Sequence, residues 1–230
     1  HVLPTPISSF TVIAPDGTAA DRLRSSALLE TLASRMHTRV SVVFAPRPWP
    51  ESDEKRDLRR APPGMPVIET GSGSAAAAEW LLRHGALQLL CIPPGSVLPR
   101  HVVIHAAGDE VRDQTMAVAA SLLRHVPAEA TLFGSRPLEA PEAERAGYLS
   151  LLANLRQATL GHQHADDHAK DVSGDPDTLL QQQLALLPDS MLVLGVAKPQ
   201  EIGHDRLALL LDLMSEDEKR RVAYHECGHA

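Results

Sequence analysis

Apolar residues come along this chain in two rhythms. One is the short β-branched run bounded by turn residues; the other is the longer stretch with hydrophobics three and four apart. "TVIA" (11–14) stops at Pro15-Asp16-Gly17 and reads as a buried strand. The next stretch carries Leu29, Leu32, Ala33 and Met36 on one stripe with Leu28 at its edge, which predicts a helix, and "RVSVVFA" (39–45) supplies a second strand before Pro46. The order recurs further on. "HVVIHA" (101–106) predicts a strand, Asp113 is placed to cap a helix with the stripe Met116, Ala119, Ala120, Leu123 and Val126, and "EATLFG" (129–134) closes the unit. Strand, helix, strand of this length is the βαβ pattern, which places its two strands parallel with a right-handed crossover.

The recurrence extends to a repeat. Residues 10–48 can be laid over 101–137, each reading apolar run, Gly/Asp turn, helix, apolar run, Arg-Pro. "GSGSAAAAEWLLRHGALQLLCIPPG" (71–95) matches "VSGDPDTLLQQQLALLPDSMLVLGV" (172–196) in layout, with the strands "LQLLCI" and "SMLVLGV". Between them the first copy has the charged, Pro-rich "PWPESDEKRDLRRAPPG", which predicts a loop. The second has Ala146, Leu149, Leu152, Ala153 and Arg156 spaced as an amphipathic helix ending near Gly161. A boundary between two units falls near Val97 to Pro99.

Composition narrows the function classes. A chain of 230 residues, 43% apolar, holds one large domain or two of about 100 to 120 residues. Its net charge of −7 offers no bulk attraction for nucleic acid or an anionic membrane face, and aromatics at 3% provide no stacking platform for single strands. Apolar stretches such as "LALLLDLM" are far shorter than the roughly 20 residues of a membrane helix, and the N-terminus lacks a signal-peptide pattern, so a cytoplasmic chain is expected. Cys91 and Cys227 alone make a disulfide framework improbable.

Two consecutive α/β units of this size and order resemble a tandem universal stress protein. The residues that carry the likeness are "TVIAPDGT" and "VVIHAAGDE", the helices ending "LASRMHTRVSVV" and "LLRHVPAEATLF", and "DSMLVLGV". The resemblance implies an α/β fold of two Rossmann-like, adenine nucleotide alpha hydrolase-like parallel-sheet units in tandem, a shortened first one over 1–98 and a second over 99–230. It implies a non-enzymatic stress-response regulator sensing a ligand, with ATP or AMP to test first, and a homodimer or a membrane transporter as partner. The family's phosphate loop spaces its glycines as Gly, two residues, Gly, nine residues, Gly-Ser/Thr, because amides approach phosphate closely only where side chains are absent. In the second copy Gly195 is followed by Lys198 where a glycine belongs and by Ala208-Leu209 in place of Gly-Ser; the first copy keeps Gly95 and Ser96. The acidic residue of the family's first turn has counterparts in Asp16, with Gly17 and Thr18 after it, and in Asp109.

The tail offers another reading. His225-Glu226-Cys227-Gly228-His229 is an HExxH string, and "LMSEDEKRRVAYHECGHA" is similar to the segment opening the peptidase domain of membrane-anchored AAA zinc proteases. On a helix His225 and His229 would share one face as zinc ligands, with Glu226 as general base. Yet no third ligand follows. The stress-protein reading instead predicts a helix starting at Glu216 behind a Ser215/Glu218 capping box, running through "EKRRVAYHE", with "CGHA" turning toward a strand left incomplete. A second group, His162, His164, Asp166, Asp167 and His168, reads as a solvated loop, and "GSGS" (71–74) as a turn into a helix whose N-terminus suits anions. A scaffold with decayed ligand sites is the remaining alternative.

Overall fold

A computed structural model describes residues 7–45, 61–106, 109–133, 165–166, 176–187, 189–196, 198, 201–215 and 222–227. Its strands are β1 (Phe10–Ala14), β2 (Val40–Phe44), β3 (Met65–Glu69), β4 (Gln88–Ile92), β5 (His101–Ala106), β6 (Glu129–Phe133), β7 (Ala165–Asp166), β8 (Ser190–Val196) and β9 (Val222–Cys227). Its helices are α1 (Gly17–Arg24), α2 (Ala27–Arg35), α3 (Ser74–Arg83), α4 (Asp109–Leu123), α5 (Pro176–Leu186) and α6 (His204–Ser215). The strands form one sheet in the order β2-β1-β3-β4-β9-β8-β5-β6-β7. The α/β class read from the periodicity is the class observed.

Helices cover both faces, so the strands are apolar on both sides, as parallel sheets are. Phe10, Val12 and Ala14 of β1 and Val102 and Ile104 of β5 pack against α1, α2 and α4. Ile13 of β1, Leu89 and Cys91 of β4 and Leu192 and Leu194 of β8 meet α3, α5 and α6 on the other face. Each of these two cores draws on residues from before and after the β4–β5 connection.

Two blocks of parallel strands meet at β9. It runs antiparallel to β4, with Leu90 opposite Tyr224, and parallel to β8, with Val193 opposite the same Tyr224. The blocks therefore point in opposite directions. Their strand orders match outward from the seam: β4-β3-β1-β2 on one side, β9-β8-β5-β6 on the other.

Several expectations change. The first helix is two, broken where the Ser25 hydroxyl donates to the carbonyls of Asp21 and Arg22 and that of Ser26 to Leu23. Hydroxyls that bond back to the preceding turn compete with helix continuation, and Ser26 leaves α1 in an extended conformation. Helix α4 starts at Asp109, so Asp113 lies inside it and does not cap it. β3, with Pro66 as its second residue, carries no strand prediction. It shifts the correspondence between halves: by sheet position β3 is the counterpart of β8 and β4 of β9, whereas the sequence overlay equated β4 with β8. At the tail, Ser215 is the last residue of α6, residues 216–221 lie outside the described residues, and 222–227, expected as helix up to Glu226, are a strand with partners on both sides. The segment from Ala146 to Gly161, and the Pro-rich stretch up to Arg60, lie outside the described residues.

Candidate functional site

β1 connects to β2 on one side of itself, while β3 lies on its other side, so the chain reverses direction across the sheet between β1 and β3. A crevice opens at the carboxyl ends of strands at such a reversal, where neighbouring loops diverge. Three segments meet there.

After β1, Asp16 is extended and its carboxylate accepts the amide of Ala19 at 2.8 Å, an N-cap for α1. Gly17 and Thr18 form the exposed first turn of that helix. One turn on, Arg22 reaches across to Glu69 at the end of β3: its Nε donates to one carboxylate oxygen at 2.6 Å and its Nη2 to the other at 2.7 Å. Glu69 is buried while the guanidinium is half-exposed. A carboxylate in that position is tolerable only because both of its oxygens are engaged. The pairing raises the Arg22 pKa above its ordinary value, chiefly through the hydrogen bond to Glu69.

After β3 the chain turns through Thr70-Gly71-Ser72-Gly73 into α3. Gly71 and Gly73 sit at φ +151° and +81°, conformations that side chains disfavour, and open space lies beside both. Ser74 closes the turn: its hydroxyl donates to the Gly71 carbonyl at 2.8 Å, and its amide does so at 3.1 Å. Gly73 caps α3 without a side chain, and among the described hydrogen bonds the first-turn amides of Ala75 and Ala76 have no acceptor. Thr70 is 2% exposed, and among the described residues its hydroxyl has no partner.

After β4, Pro93-Pro94-Gly95-Ser96 makes a turn closed by the Ser96 amide on the Pro93 carbonyl at 3.2 Å, with Gly95 at φ +68°. The Ser96 hydroxyl is buried and also lacks a partner among the described residues. This turn, Glu69, Arg22 and the Ser25-Ser26 break enclose a cavity of about 350 Å³. Buried hydroxyls without partners are uncommon, and each asks for a water or a ligand atom.

The sequence-derived residues distribute unevenly over this geometry. Asp16, Gly17 and Thr18 follow β1, and Gly95 and Ser96 form part of the cavity wall. Asp109 is the first residue of α4, in the other block. Gly195 lies within β8, opposite Ala106 and Glu226, as a ladder residue and not in a loop. His225 and Glu226 are paired in β9, and His229 falls outside the described residues. The zinc reading needs a helix at 225–229 to bring its histidines one turn apart; the strand at 222–227 removes that geometry. Asp166 belongs to β7, while His162, His164, Asp167 and His168 lie outside the described residues. Among the described residues no group of His, Cys, Asp or Glu could hold a metal ion, and no helix is long and apolar enough to cross a membrane.

Sequence reasoning missed Arg22, Glu69 and Thr70, and it did not connect the "GSGS" turn with a preceding strand. The signal was present as "MPVIETGSGS", an apolar run, a Gly-rich turn and a helix in succession.

No protein-family profile matches the chain, and no curated protein matches it. Among solved structures it is similar to a "Putative Universal Stress Protein" from Pseudomonas aeruginosa UCBPP-PA14, with a TM-score of 0.55 and 16% identity over 96% of this chain and 94% of the other. The chain thus has the universal-stress-like α/β fold.

Proposed function

We propose that this protein is a non-enzymatic, ligand-sensing regulator of the cytoplasm, built of two universal-stress-like units over 1–98 and 99–230, with its ligand in the crevice of the first unit. The observation that carries the reading is the pair of buried hydroxyls without partners among the described residues, Ser96 in the wall of the cavity and Thr70 next in the chain to Glu69 of that wall, where the glycine turn begins. A polar small molecule satisfies both. The matching strand orders of the two blocks support the tandem arrangement.

The resemblance carried by the sequence makes an adenine nucleotide, ATP or AMP, the ligand to test first. Its phosphates would go to the open amides at the start of α3 and not to Arg22. Drawing Arg22 away would leave Glu69 buried and uncompensated.

Thermal unfolding with and without ATP or AMP tests this. At a free ligand concentration about a hundredfold above Kd, the midpoint should rise by roughly 5 to 10 °C. Ala27→Trp, which fills the cavity, should abolish the rise, and Thr70→Val should reduce it. No shift with either nucleotide would leave the chain an assembly scaffold with decayed sites.

A further inference from the structure

The first block of the sheet stops one strand short of the second. β6, the counterpart of β2 by sheet position, carries β7 on its outer side, with Ala130 opposite Ala165 and Thr131 opposite Asp166. β2 ends the strand order, and among the described residues no strand pairs with its outer side. Proteins usually protect such an edge with a lysine, a proline or a bulge, because its main-chain groups invite another strand. β2 reads Val40-Ser41-Val42-Val43-Phe44, and its ladder to β1 runs without a bulge. Phe44 is 58% exposed, and Val40 and Val42 are only half-buried against the core.

The main chain of β2 fixes which groups face outward. The Arg39 carbonyl accepts the Phe10 amide at 3.0 Å and the Ala45 amide donates to the Ala14 carbonyl at 2.9 Å. In the parallel ladder between them, residues 39, 41, 43 and 45 therefore turn N–H and C=O inward to β1. Those of Val40, Val42 and Phe44 point outward. A second β2 laid antiparallel, with Val42 opposite its own copy, sets Val40 opposite the second copy's Phe44. Each of these outward-facing residues then exchanges both bonds with the one opposite, which is the hydrogen-bonded phase of an antiparallel pair. The side chains agree with that register. Val40, Val42 and Phe44 share the core face of Phe10, Val12 and Ala14, so the exposed Phe44 ring covers the second copy's Val40, an aromatic and β-branched pair. Charge agrees as well, because Arg39 falls opposite the second copy's Ala45 and not opposite another cation.

We propose that the outer edge of β2 is a self-association surface, on which two copies of this chain join antiparallel about a twofold axis at Val42 and continue the sheet from one molecule into the next. Any extended strand could meet the main-chain groups; the symmetric register and the match of Phe44 to Val40 select a second copy. A five-residue edge is smaller than a standard interface, so the dimer is weak, with a Kd on the order of 10 to 100 μM. The surface is independent of the crevice and of what binds there.

Sedimentation velocity from about 1 to 500 μM tests this, and the chain should pass from monomer to dimer across that range. Val42→Pro removes an outward N–H, so the monomer should keep its circular dichroism while dimerisation is lost. Phe44→Lys, at an exposed position, should weaken dimerisation about tenfold or more. Oxidative cross-linking with diamide reads the register. The Cα atoms of a hydrogen-bonded antiparallel pair stand about 5.5 Å apart, within disulfide reach, so Val42→Cys should give a covalent dimer. Arg39→Cys, at a more exposed position, would hold its two Cα atoms about 20 Å apart and should give none beyond the unsubstituted chain, which carries Cys91 and Cys227. A monomer at every concentration, the result if another protein's strand or this chain's own residues occupy the edge, overturns the proposal. So does a dimer that survives both Val42→Pro and Phe44→Lys, or equal cross-linking at positions 39 and 42.

Discussion

Gly64 turns the chain into β3 at φ +81°, and a β-carbon there would stand 2.7 Å from the carbonyl oxygen of Ser9. That carbonyl cannot move away freely, because it accepts the Met65 amide at 2.8 Å and so registers β3 beside β1. Gly64→Ala should therefore lose more than about 1 kcal/mol, read as a lower denaturant midpoint at unchanged slope. His125 sets a pH dependence at the same scale. Its pKa is depressed in the folded state, so the unfolded chain binds the proton more readily. Stability then falls as pH drops through the unfolded histidine value of about 6.5, and the loss is complete below the folded value. Denaturation at pH 7.5 and 5.5 should show this decline, and His125→Gln should flatten it. Arg22 and Glu69 should couple: Arg22→Gln lowers stability by leaving a buried carboxylate, and adding Glu69→Gln restores part of it, as a double-mutant cycle would measure.

Elements were legible in the sequence where one periodicity ruled. β1, β2, β5 and β6 are β-branched runs with clean borders, and the stripe of α4 is unbroken from Met116 to Leu123. β3 was not legible, because Pro66 demotes a central strand. The fold accommodates it there, with Thr11 of β1 opposite in the ladder and the Thr11 hydroxyl on the Pro63 carbonyl at 3.1 Å. Losing β3 also hid the crevice, since the "GSGS" turn gains meaning only as the exit of a strand. Its partner residue Arg22 could not be found either: an ion pair between residues 22 and 69 has no local signature. The tail misled for the opposite reason. Its charged, helix-favouring letters read locally as helix, while ladders on both sides of 222–227 decide for strand. Tyr224→Pro should remove a ladder hydrogen bond at the seam and lower the unfolding midpoint sharply, seen by circular dichroism. His225→Ala should leave the metal content of the purified protein unchanged.

For the whole molecule, the continuous sheet and the two shared cores imply one cooperative unit. Leu90 of β4 and Val193 of β8, both fully buried, belong to the same core from opposite blocks. Leu90→Ala and Val193→Ala should shift one and the same calorimetric transition, the first by about 2 to 5 kcal/mol. Two separated transitions, each moved by only one substitution, would contradict this. The strand at the seam also orders events in time. During synthesis β4 emerges early, yet its outer partner is made only after every other strand of the second block. Until then the nascent chain exposes an open strand edge that another chain could pair with. Slow translation between β4 and β9 should thus raise the risk of misassembly, making the ribosome's pace, and any holdase nearby, a determinant of yield.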